Sequence, residues 1–187
     1  MSIGLIIGLA VIVVVVLWLI SVYNMLKRLK VIITEAWSGI DVQLKRKANI
    51  IPNLLDVLKM QINFEEKILV DLTAARSGLV SGDRDVAMAA NDKLTEIFSG
   101  LRATMEAYPT LGTNDSFRTM MAEIRDCEDK IAYSRNRYNM SVAKYNTEIS
   151  VFPNNIIANN FGFREEKMFE LAEPPRDIVD NMRISKL

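Results

Sequence analysis

Apolar residues recur at alternating steps of four and three along the stretch from Trp37 to Leu79. This spacing averages about 3.5 residues, the period of a helix whose apolar stripe packs against partner helices. Pro52 lies inside the stretch and would remove one backbone hydrogen bond from an ideal helix. A break should shift the apolar phase, yet the phase is kept across the proline in Leu44, Ala48, Ile51, Leu55 and Leu58. We therefore predict one kinked but continuous helix, the alternative being a break near Asn49 with Pro52 in the first turn of a new helix.

Two further helices are predicted after a turn at residues 77–83. Gly82 suits a helix end and Asp83 a helix start, and an apolar stripe then predicts a second helix from Asp85 to Ala107. Tyr108–Pro109 stops that helix, and Thr113 or Asn114 can cap the third. The third helix carries apolar or aromatic residues at strict intervals of seven: Phe117, Ile124, Ile131, Tyr138, Tyr145 and Phe152.

The N-terminal segment has the composition of a membrane anchor. No charged side chain occurs from Met1 to Leu26, and the aliphatic run from Ile3 to Tyr23 would form about 31 Å of helix, the thickness of a bilayer core. A cleaved signal peptide would need a basic start and a small-residue cleavage site, and the segment has neither. We therefore expect a retained single-pass anchor in the cell (inner) membrane.

Basic residues follow the anchor at Lys27, Arg28 and Lys30, before any acidic residue. The positive-inside rule then places the bulk of the chain in the cytoplasm and the N-terminus outside. The same three residues are candidates for contact with anionic lipid headgroups. Gly4 and Gly8 form a small-xxx-small pair that would let two spans pack closely, although glycine is common in membrane helices. The second basic run, Lys45 to Lys47, is interpreted as a solvated helix face.

Composition removes several function classes. Lys and Arg together number 23, as do Asp and Glu, so no net charge directs the protein toward nucleic acid. Histidine, the commonest general base and metal ligand, is absent. Cys127 is the single cysteine and lies beside the apolar stripe of the third helix, which indicates a small buried hydrophobe. We predict no catalytic residue, cofactor or metal site, and membrane lipid as one partner.

Short motifs are spread along the chain in addition to the helical repeats. They are Glu35–Lys47, Ile51–Leu54, Tyr108–Pro109, Arg135 with Tyr138–Asn139, Tyr145–Asn146, Phe152–Pro153 and Phe161–Phe163. Taken together, these motifs resemble the signature of the bacterial LemA family over essentially the whole chain. The resemblance implies a short outward N-terminus, one membrane span and a cytosolic helical bundle. It implies no reaction, because the family has no established one.

The predicted fold is all-α, an N-terminal transmembrane helix that continues into an elongated antiparallel helical bundle. The bundle has three long helices, or four if the first breaks at Pro52. Residues 1–30 are expected to form the anchor and a basic juxtamembrane segment, and residues 31–152 the cytosolic bundle. Residues 153–187 are expected to form a C-terminal strap and a partly flexible tail.

A mismatch in helix length motivates the functional hypothesis. The first bundle helix would run about 70 Å, and the second could retrace only about 35 Å of it. The membrane-proximal half would then expose an apolar face that needs a partner, either a neighbouring copy or the returning tail. This face comprises Trp37, Ile40, Leu44 and Ile51.

We therefore favour a membrane-anchored scaffold that self-associates through this face into a homo-oligomer, with organisation or remodelling of the membrane as a further hypothesis. The alternative is a monomeric adaptor that binds another membrane protein, such as a protease or a sensor. Catalysis has the least support, and we predict that the protein is not an enzyme.

Overall fold

Helices account for nearly all of the described backbone. The computed structural model describes residues 3–60, 65–104 and 109–169, and within these ranges the chain forms six helices and no strand. The all-α prediction is confirmed. The helices are α1 (Ile3–Lys59), α2 (Glu66–Leu79), α3 (Arg84–Thr104), α4 (Pro109–Gly112), α5 (Asp115–Ser150) and α6 (Asn154–Asn160).

Helix α1 is continuous through Pro52, as the unbroken apolar phase predicts. Proline has no N–H to give to the carbonyl four residues earlier, which is that of Ala48. The side chain of Arg76 on α2 replaces the missing donor, because its Nε donates to the Ala48 carbonyl oxygen at 3.1 Å. A tertiary hydrogen bond thus satisfies the backbone group that the proline leaves open.

The prediction of a single helix from Trp37 to Leu79 is wrong, because α1 ends at Lys59 and α2 begins at Glu66. Helix α2 turns back and packs against α1 and α3, burying Leu72, Ala75 and Leu79. The apolar spacing could not show this reversal, because two antiparallel helices that share a core carry the same period as one long helix. The connecting residues 61–64 lie outside the described part of the chain.

The predicted helix starts at Asp83 and Asn114 are confirmed. The Asp83 carboxylate accepts a hydrogen bond from the Val86 N–H, and the Asn114 side chain accepts one from the Phe117 N–H, each at 3.0 Å. Gly82 adopts φ +82°, a left-handed conformation that glycine tolerates best. The second predicted helix corresponds to α3, and its last predicted residues, 105–107, fall outside the described part of the chain.

Helices α1 and α5 form a long antiparallel pair that is the centre of the molecule. The heptad residues of α5 point into the core from Phe117 to Tyr145, and all five are buried. The sixth, Phe152, is 79% exposed, because α5 ends at Ser150 and the chain turns there. The predicted sixth core position is therefore wrong.

The bundle has two levels along α1. In the half distant from the N-terminus, the α2–α3 hairpin packs on the α1–α5 pair. In the half near the N-terminus, α6 and the C-terminal segment, which we define as residues 161–169, complete the core with Ile157, Phe163 and Phe169. Packing begins at Val22, whereas residues 3–20 of α1 are exposed along their whole length.

The hydrogen bond from Arg76 leads to a test. We expect Arg76→Met to lower the free energy of unfolding by about 1–2 kcal/mol, because the buried Ala48 carbonyl loses its partner. In a Pro52→Ala background the loss should be smaller, since the introduced alanine supplies an N–H to the same carbonyl. Urea unfolding of the detergent-solubilised chain, followed by circular dichroism, measures both values. Arg118→Met removes an exposed i,i+3 pair with Asp115 and is the matched control. Equal losses in both backgrounds would contradict the assignment.

Candidate functional site

The residues predicted to form an exposed self-association face are in the protein core. Ile40, Leu44 and Ile51 have no exposed surface, and Trp37 is half-buried. The ring of Trp37 lies 6.4 Å from that of Tyr138 on α5 and 5.5 Å from that of Phe169. The favoured cover, a neighbouring copy, is wrong for this face, whereas the alternative, the returning tail, supplies part of the cover. Helix α5 has 36 residues, about 54 Å, and it covers α1 together with the returning C-terminal segment.

The C-terminal segment is held along α5 by hydrogen bonds to its backbone. Asn146 uses both ends of its side-chain amide, donating to the Glu166 carbonyl at 2.9 Å and accepting from the Glu166 N–H at 3.0 Å. The neighbouring Tyr145 donates its hydroxyl proton to the Arg164 carbonyl at 3.0 Å. Burial raises the pKa of Tyr145, so this phenol stays a protonated donor at neutral pH.

The same arrangement recurs one heptad earlier on α5. Asn139 pairs in the same two-way manner with the backbone of Phe169, at 2.7 and 2.9 Å, and Tyr138 donates to the Lys167 carbonyl at 3.2 Å. Seven residues of helix span about 10.5 Å, and three residues of extended chain span about 10 Å, so the two repeats match. We call these four side chains the Tyr–Asn clamp.

The Tyr–Asn clamp explains two of the motifs in the sequence, Tyr138–Asn139 and Tyr145–Asn146. The heptad stripe alone predicts the tyrosines and leaves the asparagines without a role. A repeated Tyr–Asn pair at an interval of seven, next to a buried stripe, was the signal that could have revealed a bound extended segment.

The predicted lipid-contacting residues lie beside this segment. Lys30 forms an ion pair with Glu166 at 3.1 Å and lies over the Tyr145 ring. Lys27 is exposed, with its Nζ 5.5 Å from the centre of the Phe163 ring, and Arg28 is exposed. Gly4 and Gly8 are exposed, and a Cβ added at either would meet open space. Lipid contact and span packing at these residues stay predictions.

A shallow groove lies between α1 and α5 on the side opposite the C-terminal segment. It has a volume of about 410 Å³ and is lined by Leu29, Ile32, Tyr133, Asn136, Arg137, Met140, Ser141 and Lys144. Three large apolar side chains are exposed at its rim, with exposed fractions of 41% for Ile32, 74% for Tyr133 and 66% for Met140. An ion pair between Glu35 and Arg137, at 3.1 Å, lies beside them. We call this surface the α1–α5 groove.

A buried charged cluster occupies the more distant level of the bundle. Lys47 has no exposed surface, and its Nζ donates to Asn91 at 3.0 Å and to Glu128 at 3.3 Å. The ammonium group also lies 5.4 Å from the centre of the Phe98 ring. Burial lowers the pKa of Lys47, and Glu128 opposes that shift. The interpretation of Lys45 to Lys47 as a solvated face is therefore wrong for Lys47, because it lies about 200° around the helix from the exposed Lys45 and faces the core.

Cys127 is buried, as the sequence indicates. Burial raises the pKa of its thiol, which disfavours the reactive thiolate.

In the part of the chain that the structure describes, His, Cys, Asp and Glu side chains do not come together in a group of three that could hold a metal ion. The polar groups around Lys47 bond to one another, as in a cluster that stabilises the fold.

These features define a helical bundle carried on one helix that is long and apolar enough to cross a membrane. The apolar window of α1 has a mean hydropathy of 3.3 and none of it is buried in the bundle. The chain belongs to the LemA family, whose profile matches residues 36–180.

Protein LemA of Metamycoplasma hominis is 27% identical over 154 residues, which are 81% of this chain and 70% of that protein. Magnetosome protein MamQ 2 of Paramagnetospirillum magneticum is 37% identical over 70 residues, 37% of this chain and 26% of the relative. Magnetosome protein MamQ of Magnetospirillum gryphiswaldense is 38% identical over 69 residues, 37% of this chain and 25% of the relative. This chain thus matches about a quarter of the length of each of these MamQ proteins. Together with the apolar helix, these relatives indicate a membrane-associated protein.

The Tyr–Asn clamp can be tested by loosening one pair. Asn146→Ala removes both hydrogen bonds to the backbone of Glu166, each worth about 0.5–1.5 kcal/mol, so we expect amide exchange in residues 164–169 to accelerate roughly 10- to 100-fold. Hydrogen–deuterium exchange with mass spectrometry measures this change. Asn136→Ala is the control, because Asn136 is exposed and lines the α1–α5 groove. Unchanged exchange in Asn146→Ala would show that other contacts hold the segment.

The charged cluster around Lys47 makes a second prediction. Glu128→Gln leaves the buried ammonium without its carboxylate partner, and we expect a loss of about 2–3 kcal/mol in unfolding free energy. This is below the value for a fully buried pair, because the Glu128 side chain keeps 21% exposure. Asp126→Asn breaks two exposed pairs, with Arg46 and with Lys130, and its loss of unfolding free energy should be clearly smaller. Equal losses in urea unfolding would contradict the importance of burial at Lys47.

Proposed function

We propose that the protein is a scaffold anchored in the inner membrane, with its bundle in the cytoplasm, and that copies associate through the α1–α5 groove. The observation that carries the proposal is the exposed apolar rim of Ile32, Tyr133 and Met140 on a bundle joined rigidly to an anchor. Unlike the buried face around Ile40, the α1–α5 groove is accessible in the folded chain.

The anchor supports the proposed location. Residues 3–20 of α1 are apolar and exposed, which is unfavourable in water and favourable in a bilayer. The basic residues Lys27, Arg28 and Lys30 support a cytoplasmic bundle through the positive-inside rule. Arg28 and Lys27 remain accessible for anionic lipid headgroups.

The continuity of α1 supports self-association. No linker separates the anchor from the bundle, so the groove stays at a fixed height above the membrane in every copy. Confinement to one surface also raises the effective concentration of copies, which lets a modest interface associate. Gly4 and Gly8 would allow neighbouring spans to approach closely within the same contact.

The groove has the composition of an interface. Tyrosine and methionine are enriched at protein interfaces, and the Glu35–Arg137 pair gives the rim both signs of charge. All copies in one membrane share the same orientation, so any symmetric assembly has its axis along the membrane normal. A groove on the side of the bundle, facing along the membrane plane, fits such an arrangement. Organisation or remodelling of the membrane would follow from an assembly of this kind.

Cysteine crosslinking in membrane vesicles tests the proposal. A cysteine in place of Met140, in the groove, should form a homodimer adduct with a short bismaleimide, at about twice the 21.2 kDa chain mass. Met168→Cys is the matched control, because Met168 is also an exposed methionine but lies on the C-terminal segment across α5. The parent chain gives the background from buried Cys127. We expect several-fold more homodimer from position 140, because a specific contact holds the two thiols close together.

Two results would overturn self-association through the groove. Equal homodimer yields at positions 140 and 168 would indicate random collision in the membrane. An adduct of position 140 with a different chain, identified by mass, would instead support the adaptor that binds another membrane protein.

A further inference from the structure

We infer that the turn joining α5 to α6 inserts into the interface of the same membrane that α1 crosses. We define the α5–α6 corner as four exposed apolar residues around this turn, with exposed fractions of 43% to 79%: Val151, Phe152, Ile156 and Phe161. The inference rests on the membrane anchoring proposed above, and it adds a second point of contact between the bundle and the lipid.

The register of α1 and α5 places the corner at the membrane surface. Trp37 contacts Tyr138, and one heptad nearer the N-terminus Lys30 contacts Tyr145. The next heptad step brings position 152 level with Tyr23. Contact between the rings of Tyr23 and Phe161, with centroids 5.1 Å apart, places the far side of the corner at the same level.

Tyr23 itself marks the membrane boundary. The 21 residues from Ile3 to Tyr23 form about 31 Å of helix, close to the roughly 30 Å of a bilayer core. Aromatic residues with a polar tip favour the headgroup region at the end of a span. The corner, at the level of Tyr23, therefore lies where its phenylalanines can enter the boundary between headgroups and acyl chains.

The charge pattern of the corner fits a lipid surface. No charged residue occurs between Glu148 and Arg164, so residues 149–163 can enter a region of low polarity without burying a charge. Exposed basic residues flank this stretch, namely Arg164 after it and Lys27 and Arg28 on the adjacent part of α1. An apolar surface bordered by cations is typical of segments that bind an anionic membrane interface.

The partner is therefore the lipid surface itself. A protein partner at this place would have to compete with the bilayer that the adjoining helix already occupies. Two attachment points, the span and the corner, would restrain tilting of the bundle and fix which of its sides faces along the membrane.

Depth measurements in reconstituted vesicles test the inference. The full chain is placed in vesicles of phosphatidylcholine and phosphatidylglycerol, with an environment-sensitive fluorophore on a cysteine at position 152 or 161. Phe152 is 79% exposed, so its replacement removes little packing, whereas replacement of Phe161 also removes its ring contact with Tyr23. Circular dichroism checks that the helices are retained in both variants. Val14→Cys labels the span, and Val70→Cys labels an exposed valine on α2 distant from the anchor. Cys127 is buried, and the labelled parent chain supplies its background.

Quenching by lipids that carry a spin label, either near the headgroup or deep in the acyl chain, gives the answer. Because an interfacial face lies about 5–10 Å into the boundary, we expect the headgroup label to quench positions 152 and 161 at least about twofold more than position 70. If the deep label quenches position 14 while positions 152 and 161 behave like position 70 with both labels, the corner does not enter the membrane and the inference fails, although the anchor stands. If position 14 is also unquenched, membrane anchoring fails and the inference fails with it.

Discussion

The antiparallel pairing of α1 with α5 is the constraint on which the rest of this structure depends. Apolar residues at intervals of seven on α5 meet the core side of α1 from Phe117 to Tyr145, over most of the length of α5. The α2–α3 hairpin covers this pair at one level, and α6 with the C-terminal segment covers it at the other. Because α1 also forms the apolar N-terminal segment, the pairing fixes the position of the packed elements relative to that segment.

The sequence predicts the paired helices well for a physical reason. Burial of a helix stripe imposes a period near 3.5, and this period is visible in α5 and on both sides of Pro52. It cannot predict the reversal between Lys59 and Glu66, since a core stripe looks the same in one helix and in two that fold back. The error at Ile40, Leu44 and Ile51 has a different cause, because the comparison of α1 with the helix that follows it left out the cover that α5 and the C-terminal segment supply.

The polar contacts were harder to predict than the apolar ones. Lys47 lies in a run of three basic residues, and only its angular position on α1 separates it from its exposed neighbours. The partner of the Ala48 carbonyl is Arg76, on a different helix, and no local pattern connects the two. In the Tyr–Asn clamp, each Tyr and Asn side chain bonds to the backbone of a distant segment. The role of these side chains can therefore be assigned once the position of that segment is known.

The way in which the C-terminal segment is held has a consequence for how this part of the protein can vary. The clamp's hydrogen bonds to residues 164, 166, 167 and 169 all go to main-chain atoms, and the buried side chains Phe163 and Phe169 mark the two ends. Most side chains between those ends can therefore be exchanged without loss of the contact. The number of residues cannot change so freely, because one insertion would move the second Tyr–Asn pair out of step with the backbone. The segment thus tolerates amino-acid substitutions but not insertions or deletions.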